Sequence, residues 1–172
     1  MALRFTLDPE LTPGLREQLV SLWTDVTNAG GAVGFVAPVT RTEVAHEAQR
    51  HYSALSEGRA HMVAGFDGDR LAASTFLTFN THRLMRHWAW LYTVMVDPSL
   101  QGRGYGWELM QAAERAGRDL GLEGLKLTCR GGMGLERFYA SAGYKEVGRV
   151  PAAIRVAAGD DRDDITMWLP LT

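Results

Sequence analysis

Residues Val94 to Gly106, Val-Met-Val-Asp-Pro-Ser-Leu-Gln-Gly-Arg-Gly-Tyr-Gly, run an apolar strand into a glycine-rich turn that opens a helix. Such a turn makes an anion cradle. Glycines let the backbone approach a ligand closely, and the unpaired N–H groups of the following helical turn face negative charge. Pyrophosphate is the fitting ligand, and spacing narrows its source. The glycines fall at Gly102, Gly104 and Gly106, which fails the G-x-G-x-x-G dinucleotide fingerprint, and no Lys-Ser or Lys-Thr follows them as the Walker phosphate loop requires.

Other residues with chemical potential lie on both sides of this loop. Trp88, Trp90 and Tyr92 alternate along one strand and can line an apolar pocket, although alternating aromatics equally serve a core or an interface. Phe35, Tyr52 and the apolar stretch 31–37 are further wall candidates. His82, Arg83, Arg86 and His87 share one connection that suits an acidic ligand or plain solvation, without acidic neighbours that would complete a metal site.

Gln101–Gly106 resembles the Gln/Arg-x-x-Gly-x-Gly/Ala signature of the GNAT superfamily, the acyl-CoA-dependent N-acetyltransferases. Downstream, Glu136-Arg137-Phe138-Tyr139-Ala140-Ser141-Ala142-Gly143-Tyr144 is similar to that family's Phe-Tyr…Gly-Tyr segment. Gly30–Ala37 and Val147–Pro151 resemble the branch that includes tabtoxin-resistance acetyltransferase.

The resemblance implies acetyl-CoA as cosubstrate, with its pyrophosphate on Gln101, Gly102, Arg103, Gly104, Tyr105 and Gly106. The backbone of Val94, Met95 and Val96 would hold the pantetheine arm and thioester as an added strand. Tyr139 would protonate the departing sulfur; a phenol with a pKa of about 10 is a proton donor at neutral pH. The implied reaction is transfer of acetyl to a primary amine, of a small molecule on the tabtoxin-like segments, by direct attack in a ternary complex. Phe35, Trp90 and Tyr92 are the acceptor-site candidates, no metal is implied, and family habit extends to homodimers.

Two departures qualify that pattern. Many members carry a carboxylate on the strand before the glycine loop, whereas Trp88-Ala89-Trp90-Leu91-Tyr92-Thr93 has none. Water, Tyr92, His87 or an amine that binds already neutral would then account for proton loss. Gly132 stands where the family often has asparagine, so backbone donors of Arg130–Gly134 are the available substitute. These departures give weight to a second reading, a coenzyme A-binding sensor or structural module without turnover.

Periodicity supplies the elements that position these residues. Ala2–Leu7 reads as a strand. Thr12 and Pro13 open a helix with Leu15, Leu19, Leu22 and Val26 on one face, and Thr40-Arg41-Thr42-Glu43 has capping-box form before Val44, Ala48, Tyr52 and Leu55. The apolar stretch Val33–Val36 between these helices should fold over something. His61–Phe66 and Leu71–Phe79 read as a hairpin across Asp67-Gly68, followed by a polar turn at Asn80–His87 and the strand Trp88–Val96.

A third helix carries Leu109, Ala113, Ala116 and Leu120, and Leu125–Thr128 is a short strand. A fourth helix carries Leu135, Phe138, Tyr139 and Ala142, with Gly143 placed to end it. Tyr144–Val150 and Ile165–Leu169 are strands around a polar loop at Gly159–Asp164. The order predicts a single α/β (α+β) domain over residues 1–172. With the resemblance it becomes a GNAT-like fold, a central mixed, mostly antiparallel sheet of about six to seven strands flanked by four helices.

Composition is ordinary for a soluble globular protein. The 172 residues are 46% apolar and 22% charged, with a net charge of −2, which argues against a nucleic-acid binder. Residues 101–149 hold eight basic and six acidic residues, so the part with the glycine loop is relatively basic, as phosphates would favour. Cys129 is the single cysteine, which suits a reducing compartment. No signal-like N-terminus or long apolar window is present, so the expectation is a cytoplasmic protein without membrane contact.

Overall fold

The computed structural model describes all of residues 1–172. Its strands are β1 (Arg4–Leu7), β2 (Ala60–Asp67), β3 (Arg70–Phe79), β4 (Trp88–Val96), β5 (Gly124–Arg130), β6 (Lys145–Ala157) and β7 (Asp160–Pro170). The helices are α1 (Pro13–Asn28), α2 (Arg41–Ser56), α3 (Tyr105–Asp119) and α4 (Leu135–Ser141). One seven-stranded sheet takes the order β1-β2-β3-β4-β5-β7-β6. Every pairing is antiparallel except β4 with β5.

Local sequence signals account for the helix ends. The Thr12 side chain accepts from the Leu15 N–H with Pro13 in the first turn, and Thr40 and Glu43 close a reciprocal capping box. Both satisfy donors that would otherwise be orphaned. α4 stops at Ala142, and Gly143 follows at φ 94°, a conformation glycine adopts without a Cβ penalty.

Helices cover the sheet on both faces. On one, α3 and α4 bury 26 residues with the strands, including Leu109, Leu125 and Ile165 at 0% exposure. On the other, α1 and α2 bury a separate cluster of 16 around Leu19, Trp23, Val44 and Phe76. No helix is long and apolar enough to cross a membrane.

Three strands differ from expectation. The last strands run far beyond the polar residues that read as a loop: β7 begins at Asp160, immediately after a tight turn with Gly159 at φ 75°. Arg155 pairs with Asp161 at 2.7 Å and Arg149 with Asp163 at 3.1 Å, so charged side chains line a ribbon that is mostly exposed and needs no apolar alternation. The first strand is also shorter, starting at Arg4.

The position of α3 matters most for the glycine loop, and Leu109 anchors it. Leu109→Ala should cost about 2–5 kcal/mol through lost burial and a residual cavity, measured as a lower urea midpoint with an unchanged slope.

Candidate active site

β4 carries the geometry of the site. Its parallel pairing with β5 is limited to Trp88–Gly124, Ala89–Leu125 and Trp90–Lys126. Beyond Trp90 the two strands diverge, and the side of β4 that faced β5 lacks a sheet partner. On its other side, the β3 register jumps between Ser74–Met95 and Phe76–Tyr92. Thr75 faces the extra residue, and its Oγ1 donates to the Tyr92 carbonyl at 2.9 Å.

This bulge places Thr93 at φ 56°, a rare conformation for a β-branched residue. It also reverses the strand's alternation: Ala89 and Leu91 face the α3 side before it, Val94 and Val96 after it. Bulges re-aim strands in this way.

The end of β4 is fixed by Asp97. Its carboxylate accepts from the Ser99 N–H at 2.8 Å and the Ser99 hydroxyl at 2.6 Å, and it pairs with Arg70. Burial raises its pKa, but the Ser99 and Arg70 donors outweigh that and hold it below the usual range. Gln101 Nε2 donates back to the Val96 carbonyl at 3.1 Å. Gly102 at φ 76° and Gly104 at φ 87° then bring the chain into α3, whose first turn has no side-chain cap. No atom lies within 4 Å of the position a Cβ would take on either glycine.

Two cavities meet at the divergence. One, of about 610 Å³, lies on the α3 and α4 side and is lined by Val94, Val96, Gln101, Gly102, Gly104, Gly106 and Tyr139. The other, of about 860 Å³, lies toward α1 and α2 and is lined by Phe35, Leu91, Tyr92, Thr93 and Thr128 together with Trp23, Glu47, Arg50 and His51. Ala32 and Val33 line both.

The 29–39 segment is therefore the roof over the divergence, the cover that its apolar residues demanded. Trp23 Nε1 donates to the Val33 carbonyl at 2.8 Å, Asn28 brackets Val39, and Arg130 donates to the Phe35 carbonyl at 3.2 Å.

Not every residue singled out by sequence reaches these cavities. Met95 is 1% exposed and points into the α1–α2 core. The Tyr105 ring is buried, and its hydroxyl donates to the Met1 carbonyl at 2.8 Å, so only its backbone belongs to the loop surface. Arg103 is exposed and lines neither cavity.

Trp90 lies outside both linings because it stacks between its neighbours: 5.8 Å from Tyr92, 5.4 Å from Trp88, with Lys126 Nζ 4.7 Å from its ring. Tyr52 packs between α2 and α1, donating to the Arg16 carbonyl at 3.2 Å. His87 sits just before the paired start of β4, at the closed end of the divergence. Gly132 leaves room for Arg162, whose guanidinium would lie 2.6 Å from a Cβ there and donates to the Gly131 carbonyl.

Sequence alone does not single out Glu47, Arg50 and His51. They fall beside the buried stripe of α2, and polar residues flanking a buried face read as solvated surface. Only the packing of α2 against α1 and β2, with the His51 ring laid on Phe76, turns them toward a cavity.

Burial governs proton chemistry here. Tyr139 is 8% exposed and its hydroxyl is pushed well above the ordinary tyrosine range. That hydroxyl makes no hydrogen bond within the chain, yet it is not among the sealed unsatisfied polar atoms, so it opens on the cleft. Burial also pushes the Cys129 thiol up to about 11, with nearby carboxylates adding to the shift. No group of three His, Cys, Asp or Glu side chains is arranged to hold a metal.

The model for the acetyltransferase (GNAT) family matches residues 18–144. Solved structures share the whole fold at low identity. A ribosomal-protein-alanine N-acetyltransferase from Brucella melitensis has a TM-score of 0.78 at 16% identity, covering 99% of each chain. The yncA structure from Salmonella typhimurium, with its cofactor acetyl-CoA, has a TM-score of 0.79 at 13% identity, covering 100% of this chain and 95% of that one. An N-acetyltransferase from Staphylococcus aureus Mu50 has a TM-score of 0.78 at 12% identity over 98% and 99%. No curated protein matches the chain by sequence.

A thiol raised to about 11 is a poor nucleophile at neutral pH. Cys129 should thus resist a thiol-exchange reagent at pH 7.5 in the folded protein and react within minutes in denaturant, read as one equivalent of released chromophore.

Proposed function

The chain belongs to the GNAT acetyltransferase family, and from that premise we propose that it is an acetyl-CoA-dependent N-acetyltransferase acting on a primary amine of a small molecule. The observation that carries this reading is the junction of two cavities at the β4 bulge, one with the glycine loop and Tyr139, the other enclosed by the α1–α2 roof. A reaction between two bound substrates needs such a junction, because alignment of the reacting atoms supplies much of the rate.

The residues present fit acetyl-CoA. Gly102 and Gly104 have left-handed backbone and open space where side chains would intrude, next to an uncapped helix start. Those glycines, Gly106 and the first turn of α3 would hold the pyrophosphate through backbone N–H groups. Tyr105 contributes to this loop through backbone, and Arg103 through its positive charge. The unpaired side of Val94, Met95 and Val96 would hold the pantetheine arm as an added strand. When bound, acetyl-CoA supplies the acetyl group as a thioester activated toward amines.

Tyr139 serves as the acid. Burial raises its pKa, so the phenol stays protonated at neutral pH and is held ready to donate to the leaving sulfur. Backbone donors of β4 near the bulge would stabilise developing negative charge on the carbonyl oxygen. The acceptor cavity, about 860 Å³ and walled by Trp23, Phe35 and Tyr92, has the size and lining of a small-molecule site.

Calorimetric titration with acetyl-CoA, with NADH as control, tests the cradle. Micromolar binding of acetyl-CoA alone, abolished in Gly104→Glu, is the expected result; no binding by the intact protein would overturn the reading. Tyr139→Phe should lower kcat about 10²-fold or more with acetyl-CoA affinity nearly intact, read by coenzyme A release. Binding without turnover of any amine would instead favour a coenzyme A-binding module.

A further inference from the structure

The strand before the glycine loop offers no carboxylate, and the groups considered from sequence are poorly suited to accept a proton. His87 lies at the closed end of the β4–β5 divergence and lines neither cavity. Burial raises the Tyr92 pKa, so its phenolate is scarce at neutral pH. α2 places a different group in the acceptor cavity.

The His51 ring lies parallel to Phe76, 4.3 Å between centroids at an interplanar angle of 11°. Trp23 flanks it at 5.7 Å and Tyr92 at 6.3 Å. Three aromatic neighbours from α1, β3 and β4 thus fix an imidazole that lines the same cavity as Leu91, Tyr92 and Thr93. The imidazole has no hydrogen-bond partner in the chain, and neither ring nitrogen is among the sealed unsatisfied atoms. A ring held by packing on its face, with its nitrogens free, is arranged to exchange a proton with something in the cavity.

We propose that His51 is the catalytic base, taking a proton from the acceptor nitrogen as it attacks the thioester. This rests on the acetyltransferase reading. The neutral amine's lone pair forms the carbon–nitrogen bond, which acidifies the nitrogen, and His51 accepts one of its protons. The carbon–sulfur bond then breaks with its electron pair on sulfur, and sulfur takes a proton from Tyr139. Imidazolium releases its proton to water and the phenolate regains one, so amine and thioester yield amide and thiol in balance.

The ionic surroundings support the base form. Burial lowers the His51 pKa from its ordinary 6.5; Glu47 opposes that shift and Arg50 adds to it. Arg59, from the connection after α2, and Tyr92 are the other ionisable groups lining this cavity, while α1 and β3 present Trp23, Phe76 and Thr78. The imidazole is therefore neutral at pH 7 and protonates only in mild acid.

The probe is a panel of L-amino acids and their decarboxylated amines with acetyl-CoA, chosen because Arg50, Arg59 and Glu47 at the cavity offer both charges. For the unmodified protein, kcat/KM should fall on the acid side with an inflection below 6.5 that coincides with the His51 ring titration seen by NMR. His51→Gln should lower kcat about 10²-fold, remove that acid limb, and leave acetyl-CoA affinity within twofold; His51→Asn replaces it if the Gln variant does not fold.

A His51→Gln enzyme within threefold of the unmodified rate that keeps the limb would overturn the assignment alone. So would an NMR titration that does not match the kinetic inflection. If the unmodified protein acetylates no amine on the panel, the acetyltransferase reading falls and this assignment falls with it.

Discussion

Three parallel residue pairs, Trp88–Gly124, Ala89–Leu125 and Trp90–Lys126, join one half of the sheet to the other. A longer ladder would satisfy more backbone, yet it would seal the gap in which the two cavities meet. The short ladder works because the surroundings take over. Gly124 has no side chain, and a Cβ there would lie 2.2 Å from the Trp168 indole. Trp168 instead packs edge-on against Trp88 at 5.9 Å. Aromatic packing over the closed end of the divergence thus supports the joint where hydrogen bonding stops, and the open end remains the gap between the two cavities.

The bulge at Thr93 follows from the same constraint. β4 must pair with β3 along nearly its full length, present Leu91 to the α3 core, and still turn Val94 and Val96 toward that core beyond the divergence. A regular strand cannot do both, because side chains alternate with a strict period of two. One extra residue restores the register, at the cost of left-handed backbone at Thr93, and the Thr75 hydroxyl holds the Tyr92 carbonyl as the chain turns. The strained residue stands between Tyr92, on one cavity, and Val94, on the other. Strain of this kind persists where the surrounding structure over-determines it, and here two hydrophobic clusters and a side-chain hydrogen bond do so.

What could be read from sequence was what neighbouring residues decide. Thr12–Pro13, the Thr40–Glu43 capping box, Gly143 and the loop from Gln101 to Gly106 act through contacts a few residues away, and each sits where its local chemistry demands. The apolar roof at 33–36 was also legible, since solvated loops rarely carry such a run. The length of β6 and β7 was not, because an exposed ribbon held by Arg–Asp pairs has the composition of a loop. Thr93 carries no signature of a bulge; its conformation is set by β3 and by the two cores. Nor does sequence separate Tyr92, which reaches the cavity, from Trp90, which a stack of aromatics and Lys126 holds outside it.

The division of labour between layers follows from burial. Tyr139 and Cys129 lie in the α3–α4 layer, where desolvation raises both pKa values and keeps both groups protonated. That layer can donate a proton but is poorly placed to accept one. The α1–α2 side is more open and carries mixed charge, with Glu47, Arg50, His51 and Arg59 around one cavity. Desolvation lowers the pKa of a base as it raises that of an acid, so deep burial keeps a phenol protonated on one face and partial burial favours an unprotonated imidazole on the other. On the proposed reading a strand carboxylate is then unnecessary: the sheet separates two environments that would hold acid and base in the protonation state each needs at neutral pH, and the gap after Trp90 is where the two would meet the reacting atoms.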